Sequence, residues 1–116
     1  NSILSLYLSA FLFFVVTLFV KFITMIRLNV FIQVKEEKDR AAVIALAKEL
    51  AAASLNDEGC IAYDVFESAT RPDVLMICET WKGGASLAVH SKTSHFTSLV
   101  PQIEQLASMK MEKFDF

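Results

Sequence analysis

Two histidines, two cysteines and a few scattered carboxylates are the side chains of this chain that could do chemistry. His90 and His95 titrate near neutral pH, so each is a candidate general base. Their five-residue spacing puts them about 140° apart on an ideal helix, so one unbroken helix cannot aim both at one metal ion. A break at Thr93-Ser94 would bring them together, but no cysteine or carboxylate cluster joins them, and no metal site is expected. Taken singly, each is more simply a helix-terminus or surface histidine. Cys60 and Cys78 depend on the hairpin that carries them. With a symmetric turn Glu67 pairs with Val74, Cys60 faces Trp81, and Cys78 faces Tyr63. The two thiols then lie on opposite faces and cannot bridge, so two small buried hydrophobes are expected. The same register places Asp64 and Glu79 on one face near Trp81, a paired-carboxylate arrangement unless the pair sits at the sheet edge or the register slips by one. The sequence has no glycine-rich phosphate loop, nucleophile elbow or Cys/His protease signature.

These residues must be positioned by a small set of elements. Ile26, Leu28, Val30, Ile32 and Val34 alternate with Arg27, Asn29, Phe31, Gln33 and Lys35, the period of a strand. Asn29 is a polar amide in that pattern, and if buried it must find partners. Charged residues 36–39 are a solvated loop. Arg40 to Ser54 is helical, with Val43, Ile44, Ala47, Leu50 and Ala51 on one stripe. Gly59 suits the positive-φ stop after it. Cys60 to Glu67 and Val74 to Trp81 form a hairpin around Arg71-Pro72-Asp73. Ala85 to Lys92 reads as a short helix. Thr93 or Ser94 caps the next, which carries Phe96, Leu99, Ile103 and Leu106, and Pro101 should kink or interrupt it. Met109 to Phe116 is a closing strand with a bulge near Met111 and Phe114. The order β-α-β-β-α-β predicts an α+β, ferredoxin-like split βαβ fold with a four-stranded antiparallel sheet. Two helices cover one face of such a sheet. A second copy of the sheet is the economical cover for the other, so a homodimer is expected.

Composition divides the chain at residue 24. Hydrophobic residues are 54% of the 116, but residues 1–24 hold 17 of the 63. Ile3 to Val20 carries no charge and, as a helix, would rise about 27 Å, which predicts a hydrophobic N-terminal helix that crosses a membrane. A signal peptide fits less well, because no basic region precedes the segment. An upstream extension joined to a domain starting at Met25 fits as well as an anchor does. Residues 25–116 are half apolar, an ordinary value for a folded domain. A net charge of −2 excludes a strongly basic nucleic-acid binder, and the apolar content excludes a disordered chain. A cytoplasmic domain is expected, membrane-anchored if residues 1–24 serve as an anchor.

Three elements occur in a telling order: Asp57-Glu58-Gly59-Cys60-Ile61-Ala62-Tyr63-Asp64, then Glu79-Thr80-Trp81-Lys82, then His90-Ser91-Lys92-Thr93-Ser94-His95-Phe96. Together they resemble the antibiotic biosynthesis monooxygenase family, near its small quinol monooxygenase-like members, over essentially all of residues 25–116. Residues 1–24 have no counterpart in its single-domain members. The resemblance implies a dimeric α+β barrel and oxygenation of a quinol or small dihydroxy-aromatic by dioxygen, with no cofactor. A bound phenolate can hand an electron to triplet oxygen itself, so the protein supplies an apolar pocket, a base and anion-stabilising donors. By position His90 or His95 is the base, with His90 preferred. Asn29 holds a substrate oxygen, and Trp81 forms a wall or donates its N–H. Tyr63, Phe96 and Glu79 line or steer. Other readings are a haem-binding or haem-degrading barrel using Asn29, Trp81 and a histidine, an isomerase of the autoinducer-degrading type, and a non-catalytic dimeric binding module.

Overall fold

A computed structural model describes the backbone of residues 2–116 and the side chains of residues 3–16 and 24–116. An N-terminal helix, α1 (Ser2–Ile23), precedes β1 (Ile26–Val34). Strand side chains alternate between faces, so Ile26, Leu28, Ile32 and Val34 enter the core together. A 3-10 turn (Glu37–Asp39) leads into α2 (Arg40–Ser54), whose buried residues Val43, Ala47, Leu50 and Ser54 recur at helical spacing. β2 (Cys60–Glu67) and β3 (Val74–Trp81) form the expected antiparallel hairpin. Two helices follow, α3 (Gly84–His90) and α4 (Ser94–Leu106), then β4 (Ala107–Asp115). Thr93 Oγ1 caps α4 by accepting from Phe96 N at 3.3 Å.

The strands form one antiparallel sheet in the order β2-β3-β1-β4. This is the ferredoxin-like arrangement that the element order predicted. One face packs on α2 and α4 through a core that joins Ile32, Leu75, Ile77 and Trp81 to Val43, Leu50, Leu99 and Ile103. The other face carries Arg27, Asn29, Phe31 and Gln33 of β1, opposite Thr80, Cys78, Met76 and Val74 of β3.

Four expectations are corrected. Cys60 pairs with Trp81 as the symmetric turn requires, but the next pair is Ala62 with Thr80, which leaves Ile61 as an extra residue. Bulges favour sheet edges, and β2 is an edge strand. A one-residue shift exchanges faces, so Tyr63 lies opposite Glu79, where the symmetric turn puts Ala62, and Asp64 faces Cys78 and leaves the face of Glu79. Conversely, β4 pairs with β1 without a break from Ala107 to Asp115, so the bulge expected there does not form. Pro101 lies inside α4 without interrupting it. Pro101 and Thr97, whose carbonyl lies one helical turn before it, are both exposed, so the hydrogen bond that proline cannot donate leaves no buried group unpaired there.

The fourth correction concerns the membrane. Among the described residues no helix is long and apolar enough to cross one, which overturns the transmembrane expectation for residues 1–24. The described apolar side chains of α1 run from Ile3 to Val16 and are exposed.

Candidate active site

The segment between α2 and β2 supplies the central group. Asp57 lies in this loop, two residues before Gly59, which takes φ +81°. The tight turn lets the chain pass close to α3, where a Cβ on Gly59 would stand 2.3 Å from Ser86 Cβ. Asp57 is thereby held against both histidines. His90 Nδ1 lies 2.7 Å from Asp57 Oδ2, and His95 Nε2 lies 2.8 Å from the same oxygen. His90 ends α3 and His95 opens α4, so the break at residues 91–93 removes the 140° separation of a single helix. A carboxylate only accepts, so both rings donate to it. His90 therefore carries its proton on Nδ1, and its Nε2 is left as a buried nitrogen without a partner. Burial pushes the His90 pKa down, and the hydrogen bond to Asp57 opposes this. Neutral His90 is thus a base with its lone pair on Nε2.

Asp57, His90 and His95 also bring three potential metal-ligand atoms within 4.8 Å of one another. Bonds of about 2.0 Å to tetrahedral zinc would hold ligand atoms about 3.3 Å apart. The 2.7 and 2.8 Å separations here are those of charge-assisted hydrogen bonds.

Trp81 links His90 to a second titratable group. Its indole ring packs on the imidazole at 4.4 Å between centroids, and Phe96 meets the same imidazole edge-on at 5.2 Å. The Trp81 Nε1–H donates to Glu79 Oε1 at 2.9 Å. Glu79 is 4% exposed. Burial raises its pKa, against the opposing hydrogen bond from Trp81 and a smaller one from Tyr63. Tyr63, also buried, has its phenol pushed far up by burial and then by the neighbouring Glu79 charge, so it keeps its proton. A cavity of about 370 Å³ opens between the sheet and the helices. Its wall includes Leu28, Ile77, Leu87, Phe96, Val100 and Met109, with Tyr63, Glu79 and His90 among its polar members. That is the composition of a site for a small, largely apolar ligand.

The sequence pattern of antibiotic biosynthesis monooxygenases matches residues 25–102. The chain belongs to the antibiotic biosynthesis monooxygenase family. Over 88 residues it is 33% identical to "Putative monooxygenase YcnE" of Bacillus subtilis (strain 168), spanning 76% of this chain and 92% of that protein. A crystal structure of a conserved protein of unknown function from Bacteroides thetaiotaomicron VPI-5482, described as a possible oxidoreductase, is 58% identical. It superposes with a TM-score of 0.79 over 81% of this chain and 99% of that one. A crystal structure named as an antibiotic biosynthesis monooxygenase is 25% identical, with a TM-score of 0.69 over 78% of this chain and 95% of that one. Proteins of this family are typically dimeric and act on small substrates.

Within this family fold, the residues singled out in the sequence divide into two groups. His90, His95, Tyr63, Glu79, Trp81 and Phe96 converge on the helix-covered face, and His90, Tyr63, Glu79 and Phe96 line the cavity. Trp81 is fully buried behind them, with its N–H committed to Glu79. Asn29 does not join them. It alternates with Leu28 and Val30, which line the cavity, so it lies on the opposite face beside Cys78 and Glu112. The Asn–Trp–His set of the haem reading is therefore not assembled. Asp57, which joins the two histidines, is the candidate site residue that sequence reasoning passed over. It opens the first family-like element, but its spacing reads equally as the polar end of a helix.

Proposed function

We propose that the chain is a cofactor-independent monooxygenase that oxidises a small hydroquinone or dihydroxy-aromatic with dioxygen. The observation that carries this reading is the Asp57–His90 pair. Asp57 accepts from Nδ1 and leaves Nε2 without a partner on a histidine that lines an apolar cavity. His90 removes a phenolic proton. The phenolate passes one electron to dioxygen, the radical pair joins as a carbon–oxygen bond, and protonated His90 returns its proton to the peroxide. His95 steadies Asp57 from the other side. The apolar wall weakens solvation of the phenolate and makes it the better electron donor. The working unit is residues 25–116, with residues 1–24 an appended segment. The family match to residues 25–102 and the completion of the sheet by β4 support that division.

Oxygen uptake tests the reading directly. In chelator-treated buffer with a panel of hydroquinones, wild type is expected to consume oxygen above the buffer rate and His90→Gln to lose roughly a hundredfold. Uptake by wild type at the buffer rate across the panel sinks it.

A further inference from the structure

Resting on the monooxygenase reading, we propose that Glu79 is the general acid that splits the oxygen–oxygen bond of the substrate hydroperoxide, opposite His90 as the base. Both groups line the same cavity, and the wall between them is largely apolar. Trp81 fixes their relative placement, because its ring packs on His90 at 4.4 Å while its Nε1–H holds Glu79 Oε1 at 2.9 Å. With Oε1 accepting from the indole, the acid proton of Glu79 resides on Oε2. The other charged residues along the cavity, Glu104, Lys110 and Lys113, are exposed, so none is a sheltered donor.

Environment separates the two roles. Burial drives Glu79 toward its neutral acid form and His90 toward its neutral base form. A pair of titratable groups displaced in this way is poised as acid and base. The hydroperoxide step then balances. His90 Nε2 takes the proton from the carbon that bears the peroxide, and the C–H electron pair becomes the second bond of a carbonyl. The oxygen–oxygen bond breaks, and the departing oxygen takes the Glu79 proton and leaves as water. Carbon is oxidised by two electrons and the peroxide is reduced by two. His90 then returns its proton to Glu79 Oε2. The step therefore requires a phenolic substrate whose attacked ring carbon still carries a hydrogen, and the quinone formed keeps one dioxygen atom as the carbonyl oxygen on that carbon.

The partition of oxygen between product and hydrogen peroxide tests this. Glu79→Gln keeps an acceptor for Trp81 and the side-chain volume but has no acid proton. Wild type is expected to release almost no peroxide. Glu79→Gln is expected to lose about a hundredfold in quinone formation, with peroxide rising toward one per oxygen consumed. Glu79→Asp, which keeps a proton, should recover part of the quinone. The peroxide-to-oxygen ratio does not depend on how much of a variant is folded. Glu79→Gln that forms quinone at the wild-type rate without peroxide overturns the proposal, as does a raised KM with the wild-type ratio, which marks Glu79 as a binding group only. Wild type inert toward every hydroquinone overturns the monooxygenase reading itself and this role with it, so the two failures are told apart by the wild-type control.

Discussion

Asp57 accepts a 2.7 Å hydrogen bond from His90 across 33 residues of sequence, and the same oxygen holds His95. Replacing Asp57 by Ala strands a buried Nδ1–H, at a cost of about 1–3 kcal/mol in stability. It also frees His90 to move its proton to Nε2, where it no longer serves as a base. Asp57→Asn keeps an acceptor and should lose less stability than Asp57→Ala. Urea midpoints and oxygen uptake, measured side by side, check both. Full stability and full rate in Asp57→Ala would contradict the pairing.

The His90 pKa is lowered from 6.5 by burial. Between its folded value and 6.5 the unfolded chain holds a proton that the folded chain does not, so stability from this group is complete above pH 6.5 and falls as pH drops through that window. Glu79, raised from 4.5, acts in the opposite sense, contributing below pH 4.5 and losing its contribution as pH rises through its folded value. Comparing wild type with His90→Gln isolates the histidine. The drop in urea midpoint from pH 7.5 to pH 5 should be smaller in His90→Gln, and the wild-type rate should fall on the acid side of pH 6.5. An unchanged midpoint difference would contradict the burial account.

Gly59 answers two constraints at once, a φ of +81° and a packing against Ser86 that leaves no room for a Cβ. Gly59→Ala should lose about 1–2 kcal/mol from the backbone alone, and more from the collision. The double variant Gly59→Ala, Ser86→Gly removes the collision and should recover part of the loss, leaving the backbone share. Thermal melts of the two variants separate the contributions. No recovery in the double variant would place the whole cost in φ.

The Cys60 thiol is pushed up to about 11, by burial first and then by the Glu79 and Asp57 charges. At pH 8 that leaves about 0.1% thiolate. Iodoacetamide should therefore leave Cys60 unmodified in folded protein and label it after unfolding in urea. Fast labelling of folded Cys60 at pH 8, located by peptide mass, would contradict the environment described here.

Much of this was legible from pattern. Alternation across Ile26–Val34 marks β1, and the stripe from Val43 to Leu50 marks α2, because periods of 2 and 3.6 follow from backbone geometry alone. The order of elements then leaves few topologies, and the hairpin and the sheet order are as expected. His90, Tyr63, Glu79 and Phe96 were visible as residue types able to serve a cavity. The family resemblance grouped them around one pocket, while periodicity alone did not. Ile61 bulges at an edge strand, and no local pattern distinguishes it from an ordinary strand residue, yet it decides that Tyr63 joins the face of Glu79 and Asp64 leaves it. Alternation sets Asn29 apart from Leu28, but only the packing of α2 and α4 decides which of the two faces is the cavity. The role of Asp57 is purely tertiary. A loop carboxylate has no periodicity to betray it, and its partners lie on two helices that a three-residue break turns toward one oxygen. Local sequence determined the elements, because each obeys its own backbone period. The chemistry waited on their assembly, because a proton-transfer site is defined by distances between residues far apart in the chain.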